Sequence, residues 1–574
     1  LSLIGGDIRL SSATLYAPAG RINLAAVGSA GEVVPTETGL NVQAFRALGT
    51  FTLEQTLAER PTVNVGNPFG EVPLGNLDVS GQGGGAIFIR GGQWVSRGGS
   101  VLTNTYGDQK GRGVDVVLSG AAQLEGDEAG IEATTFATGD AGSVTLHVGN
   151  LELIGGGQIS ANTFGSGQGG DITITARDAV IISGTGLTEF VYSGLFSVST
   201  IGDGGSITLD TGRFELTGGA LIATSTQGAG KGGDIIVRSR DSITISGTDS
   251  TYDVSGLFSS AIPDSTGNAG SITLHTGRFD LSEGGTISSA TLGAGRGGDV
   301  NIFANVVNLS EGRIATSTLL GATGRGGDIA ITARDAVTIS GFYLDPTYHF
   351  PYSLSSNSHD QSTGDAGDIT VTTPHLTLSE GGVIDATSEL TSGGNITLNA
   401  DYLKLFNGSA VSSSVEGDET TTGGNVTLNS TNVVALNGSS ITAKADQGKG
   451  GAITVNADVF LHDAADASNV LNASSQVTGN DGAVQNNAPT TDLSGSLTVL
   501  PTNYLDAAAQ LSSHCGASDL DSRSRFTVQG RGGLPPAPDE PAAARVSRCR
   551  SEFPLTRATT PSQLAATAPN FGDQ

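Results

Sequence analysis

The sequence predicts an all-β chain wound as a single-stranded parallel β-helix, on three observations. Glycine-marked turns recur at Ala86, Asp115, Ser143, Asp171, Ser206, Asp234, Ser271, Asp299, Asp328, Asp368, Asn395, Asn425 and Ala452, and nine of the twelve steps span 27–30 residues. Such a period marks an array of stacked units rather than a set of ordinary domains. Within a unit, apolar and polar residues alternate, as in Ser206-Ile207-Thr208-Leu209, which is the pattern of a strand with one buried face. Composition agrees: 86 of 574 residues are glycine and only 15% are charged, against about 25% in ordinary domains.

Residues 1–35 precede the recognisable repeat, and their opening LSLIGGDIRL lacks the basic start and apolar centre of a signal peptide. Residues 36–80 break the period, and we read them as an irregular surface excursion. The repeat proper occupies 81–460. In the unit GGSITLDTGRFELTGGALIATSTQGAG the strands are SITLD, RFELT and ALIATST, with glycine-containing turns between them. A strand of four or five residues cannot bury its apolar face alone, so each must pair with its copies above and below. About thirteen recognisable rungs at the ~4.8 Å strand spacing make a rod roughly 60 Å long. Residues 461–500 read as a last coil or cap. Residues 501–574 hold eight of the 18 prolines and read as a largely disordered, Pro- and Arg-containing tail.

The net charge of −28 lies wholly in the first 500 residues, because the tail carries seven Arg against seven acidic residues. An acidic body repels phosphate backbones, which excludes nucleic acid as a partner. No stretch approaches the ~20 apolar residues of a membrane helix. The chain contains no methionine, so we read it as a processed product or a fragment. Cys515 and Cys549 both lie in the tail and can form one disulfide if the chain is exported. No cofactor is expected.

Three long steps follow Asp171, Asp234 and Asp328. Their extra residues fall at one place in the unit: TGLTEFVYSG (Thr185 to Gly194), TDSTYDVSG (Thr248 to Gly256) and FYLDPTYHFPY (Phe342 to Tyr352). Insertions at one corner of a coil project from one flank of the rod. They carry Phe190, Tyr192, Tyr252, Phe342, Tyr343, Tyr348, Phe350 and Tyr352, the candidate binding residues, with Phe196 and Phe258 just after the first two. Exposed aromatic rings suit sugars or a partner protein. The other reading is that the rings fold down over a strand face.

The segments GGGAIFIRGGQWVSRGGSVLTNTYGDQKGRGVDV (Gly83 to Val116), the GGDITITA repeats and CGASDLDSRSRFTVQGRGGLPPAPDEP (Cys515 to Pro541) resemble large cyanobacterial exoproteins of the filamentous-haemagglutinin-like, two-partner secretion type. Members are often called adhesins or surface-layer family proteins. The resemblance covers nearly the whole chain. It implies a right-handed parallel β-helix, export through an outer-membrane β-barrel transporter, and a place outside the cell or on its surface. Residues 1–35 look like the end of the N-terminal secretion domain, and the rest of that domain, which carries its Asn-Pro motifs, is absent here. The function it implies is structural and adhesive, with an extracellular glycan or surface as ligand, rather than enzymatic. A β-helix polysaccharide lyase or hydrolase is the alternative.

The near-identical copies GQGGDITITARDAVIISG, GKGGDIIVRSRDSITISG and GRGGDIAITARDAVTISG place Arg177-Asp178, Arg240-Asp241 and Arg334-Asp335 at the turn between the first and second strands. Catalysis needs its groups once, whereas these recur on separated rungs, so we read them as structural and assign no catalytic residue. The turn aspartates Asp171, Asp234, Asp299, Asp328 and Asp368 alternate with Ser206, Asn395 and Ala452 at the same place. Turn formation therefore explains them better than calcium does. His147 and His275 share a repeat position with Asp210 and Thr372, too far apart for one zinc ion. No metal site is expected.

Overall fold

The computed structural model describes residues 1–37, 39–55, 62–63, 72–73, 75–188, 190–250, 253–341, 353–463 and 470–492. Leu1–Thr498 forms one compact unit; the remainder, with the expected tail and both cysteines, lies outside the described residues. The described residues form strands and no helix, and the coils stack as a parallel β-helix. One face is a 15-stranded parallel sheet with one short strand per coil, from Leu15–Tyr16 to Leu471–Asn472, which numbers the coils one to fifteen. Fourteen steps of ~4.8 Å make this stack about 67 Å long.

The first and second faces belong to one larger sheet. In coil seven the strand Ile207–Thr217 covers both stretches read as separate strands, and the third-face strand is Leu221–Ala223. The expected turn between the first two strands is therefore a bend inside one strand, with a register shift between Thr211 and Arg213. The backbone keeps its pairing through the corner, and a one-residue shift is enough to turn it.

Pairing in register builds continuous apolar columns. Val144, Ile172, Ile207, Ile235, Ile272, Val300, Ile329, Ile369, Ile396, Val426 and Ile453 stack one above another, and all are buried. Each such side chain contributes about 1.5–3 kcal/mol on burial. On the third face the matching column runs from Ile131 through Leu195, Ile222 and Leu257 to Ile441.

Polar groups inside the turns are also placed by the repeat. Buried hydroxyls such as Thr163, Thr226 and Thr291 donate to the carbonyls of Gly167, Gly230 and Gly295 at 2.6–2.7 Å, which satisfies groups that water cannot reach. The second glycine of each GGD-type motif forms its own column, including Gly233, Gly298, Gly327 and Gly367. A Cβ on any of them would collide with the carbonyl oxygen of the glycine one coil before. The copied glycines are thus a condition of close stacking.

Two expected boundaries are corrected by the pairing. Residues 36–80 are not wholly an excursion: Thr50–Glu54 pairs with Ile8–Ser11 and with Gln93–Arg97, and Leu77–Asp78 pairs with both the first and third coils. Phe51, Leu53 and Leu77 are buried core residues. The excursions leave and re-enter the same coil, so the register survives them. Arg21–Ala26 pairs directly with the strand Ala86–Gly91, which makes residues 1–35 continuous with the repeat. Asp115 was expected in the turn column, but Gly113 holds that place opposite Ala86. Asp115 stands two residues on, with its carboxylate 2.7 Å from Arg90. At the far end, Leu471–Asn472 completes coil fifteen, and Ala483–Asn486 and Thr490–Asp492 pair with Ala452–His462 one rung further on.

Candidate functional site

The strands Ile172–Ser183 and Ile235–Ser246 of coils six and eight both end at a glycine in the left-handed region, Gly184 (φ 77°) and Gly247 (φ 80°). A positive φ there turns the chain out of the strand at little cost, and the insertions begin at the next residue. Each closes as a small hairpin, bridged at Thr185–Tyr192 and at Thr248–Val254. The returning serines pin the bases: Ser193 and Ser255 donate their backbone N–H to the carbonyls of Gly184 and Gly247, at 3.1 and 3.0 Å.

Coil seven, between them, has no insertion and turns at Gly218-Gly219. The two hairpins lean over that turn, where a Cβ on Gly219 would lie 2.8 Å from Asp249 and 3.1 Å from Thr185. They meet through the Tyr192 hydroxyl, which donates to Asp253 at 3.0 Å. Burial, then the carboxylates of Asp253 and Asp249, push the Tyr192 phenol up to about 12. The space between the hairpins is a cleft of about 470 Å³, lined by Leu187, Thr188, Phe190, Tyr192, Asp249, Ser250 and Asp253 among others.

The first hairpin is clamped from coil four, two coils before its own. Asp127 accepts the backbone N–H of Leu187 at 2.7 Å and of Thr188 at 3.0 Å, and the Thr188 hydroxyl at 2.6 Å. Partial burial works against its charge, yet the bonds from Thr188 and Leu187 hold its carboxyl below the usual range. On this clamped frame Phe190 adopts φ 64° and is 83% exposed, and Leu187 is fully exposed. A bulky residue in the left-handed region carries strain, and strained, exposed apolar side chains concentrate at binding sites.

Of the candidate binding residues, then, Phe190 and Tyr192 share one cleft. Tyr252 and the third insertion, with Phe342, Tyr343, Tyr348, Phe350 and Tyr352, lie outside the described residues. Phe196 and Phe258 do fold down: their rings lie where side chains on Gly194 and Gly256 would be.

The repeated Arg-Asp pairs are exposed and held within the coil stack. Arg177 pairs with Asp178 at 2.8 Å and Arg334 with Asp335 at 3.0 Å, and in each case the hydrogen bond from the guanidinium pulls the carboxyl down. Arg240 instead reaches back two coils to the carbonyl of Arg177 at 2.8 Å. The guanidiniums of Arg177 and Arg240 lie over glycines of the coil before, so that a Cβ on Gly149 or Gly212 would sit 3.1 Å from Arg177 or 2.8 Å from Arg240. Coils with an arginine alternate here with coils that make room for it.

The turn aspartates are spent on the backbone. Asp171 accepts the N–H of Ser206, Asp234 that of Ser271, Asp299 that of Asp328, Asp328 that of Asp368, and Asp368 that of Asn395, all at 2.7–2.9 Å. Any short side chain with an acceptor does this work, which explains the exchange of Asp, Asn and Ser. Arg296 and Arg325 each bridge two carboxylates of the column, at 2.7–3.3 Å. His147 and His275 occupy one column, four rungs apart, and His275 stacks on Phe303 at 4.8 Å. Among the described residues no group of three or more His, Cys, Asp or Glu is placed to hold a metal ion.

Two columns escaped the sequence reading. Tyr106, Phe136 and Phe164 stack at 5.5 and 5.4 Å along one corner. Their signal was present in the related tetrapeptides NTYG, TTFA and NTFG. The rings turn their faces to one another and their edges to water, so they are a poorer sugar platform than a single open ring. Asn399, Asn429, Asn456 and Asn487 form an amide ladder with bonds of 2.7–2.8 Å.

No helix among the described residues is long and apolar enough to cross a membrane. Comparison of this chain with protein-family models, with curated proteins and with solved structures gives no match.

Proposed function

We propose that the protein is a structural and adhesive exoprotein, secreted or displayed at the cell surface, in which a stiff β-helix holds binding hairpins away from the cell. The observation that carries this reading is the cleft of coils six and eight. Leu187 and Phe190 project from a hairpin clamped by Asp127, and neither contributes to the core. Exposed apolar groups on a rigid frame suit recognition of a surface or glycan, because little ordering entropy remains to be lost. Copies of the rod on one surface would add weak contacts by avidity.

By its resemblance to two-partner secretion exoproteins, the chain would leave the cell through an outer-membrane β-barrel transporter that recognises the secretion domain. The direct test is binding of the purified chain to a glycan array and to intact surfaces. The Leu187→Ala/Phe190→Ala double variant should lose most of that binding while its thermal midpoint stays within about 2 °C of the parent, as surface truncations do. Unchanged binding would remove the cleft from the reading. For export, a chain joined to a complete secretion domain should reach the medium only when the transporter is co-expressed.

A further inference from the structure

We propose that the hairpin cleft selects a cationic amino sugar, a pyranose bearing a free ammonium group within a short oligosaccharide, over neutral and anionic glycans. The inference rests on the adhesive reading above and names its ligand class. The segments Thr185 to Gly194 and Thr248 to Gly256 contain Glu189, Asp249 and Asp253 and no Lys, Arg or His. Asp127 adds a carboxylate beneath the first hairpin, 2.6 Å from the Thr188 hydroxyl. Among the described residues that line the cleft none is basic.

The field of these groups already acts on the protein itself, since Asp253 and Asp249 add to burial in resisting ionisation of Tyr192. A uronate or sulfate ester entering the same space meets that repulsion and finds no guanidinium to receive it. An ammonium group meets the reverse: carboxylates on the second hairpin for charge-assisted hydrogen bonds, and the open ring of Phe190 for its cationic face. Phe190 and Leu187 supply the apolar surface against which the C–H face of a pyranose packs. The cleft volume of about 470 Å³ is in the range of small-ligand sites. The chain's charge of −28 adds long-range steering of the same sign.

A strongly acidic protein attracts any polycation, so the test uses short probes and a charge control. Binding of the full chain is measured by titration calorimetry with glucosamine tetramers in free-amine form, with the same tetramers fully N-acetylated, and with a tetra-uronate. The free-amine form should bind roughly tenfold more tightly than the N-acetylated form, as expected for hydrogen bonds to a charged group. Phe190→Ala should weaken it by a similar factor. Asp253→Asn, which keeps an acceptor for Tyr192, should abolish the preference for the amine. Asp401→Asn, an exposed carboxylate elsewhere on the rod, should leave binding unchanged.

Equal affinity for the N-acetylated form, or uronate binding that Phe190→Ala removes, would overturn the cationic preference and leave adhesion standing. Amine binding untouched by Phe190→Ala and Asp253→Asn would mean non-specific charge attraction and overturn the site. No binding of any of the three, together with a blank glycan array, would overturn the adhesive reading and this inference with it.

Discussion

At the scale of single residues, the repeat assigns each position one task, and substitutions should separate by column. Leu209 points inward and is fully buried, whereas Thr208 points out. Leu209→Ala should therefore cost about 2–5 kcal/mol, and Thr208→Ala no more than about 0.5, measured by denaturant unfolding. Gly327→Ala should destabilise more than its small volume suggests, because the added methyl meets backbone that cannot withdraw. Asp385 is a residue whose environment opposes its charge. Burial raises its carboxyl above the ordinary range, and the bonds from Thr387 and Asn357 with the charge of His359 only partly offset this. A raised folded-state value means that the stabilising form is the protonated one. Its contribution is complete below the ordinary carboxylate range and is lost as pH rises through the raised value. Asp385→Asn should thus stabilise the protein at pH 8 and change its stability little at pH 4, measured by denaturant unfolding. The new amide can pair with Asn357, whose Oδ1 is buried and has no partner. Equal effects at the two pH values would refute this.

At the scale of elements, the hairpins are the parts of the coil that stacking does not dictate. The Thr185–Tyr192 hairpin is held at its base by the coil and at its tip by Asp127. Asp127→Ala should leave the global melting midpoint within about 2 °C but speed amide exchange at Leu187 and Thr188 roughly tenfold or more, since local opening no longer breaks those bonds. Exchange at Ile207 and Leu209, in the core of the next coil, should not change. The sequence located this element well, because an insertion shows as a lengthened period. It could not show that Tyr192 meets Asp253, since those residues become neighbours only once the coil between them is in place.

For the Leu1–Thr498 unit as a whole, stability is a sum of coils and of the interfaces between neighbours. The alternation of arginine-bearing and glycine-bearing corners makes that sum depend on parity. Deleting residues 206–233 would put Arg240 directly on the coil of Arg177, with no Gly212 beneath it, and would stack the two hairpins on adjacent rungs. Deleting residues 171–233 removes two coils and returns Gly149 to its place under an arginine. The longer deletion should therefore melt higher than the shorter one, by several degrees in differential scanning calorimetry. The reverse order would show that the corner pairs do not set coil order.

The sequence alone determined the stack: period, inward columns of Ile, Val and Leu, glycine turns and the site of the insertions. All of these follow from local alternation and from the need of short strands to bury one face, which any window of 28 residues displays. Asp115 was misplaced by two residues, and residues 50–54 and 77–78 were missed as rungs, because a single coil interrupted by long excursions has no visible period. Only the tertiary structure decided what lies across coils: the passage of one strand through a corner, Arg177 over Gly149, Tyr192 against Asp253. Those contacts join residues tens of positions apart, and their distance is set by the ~4.8 Å rise of the coil rather than by their order along the chain.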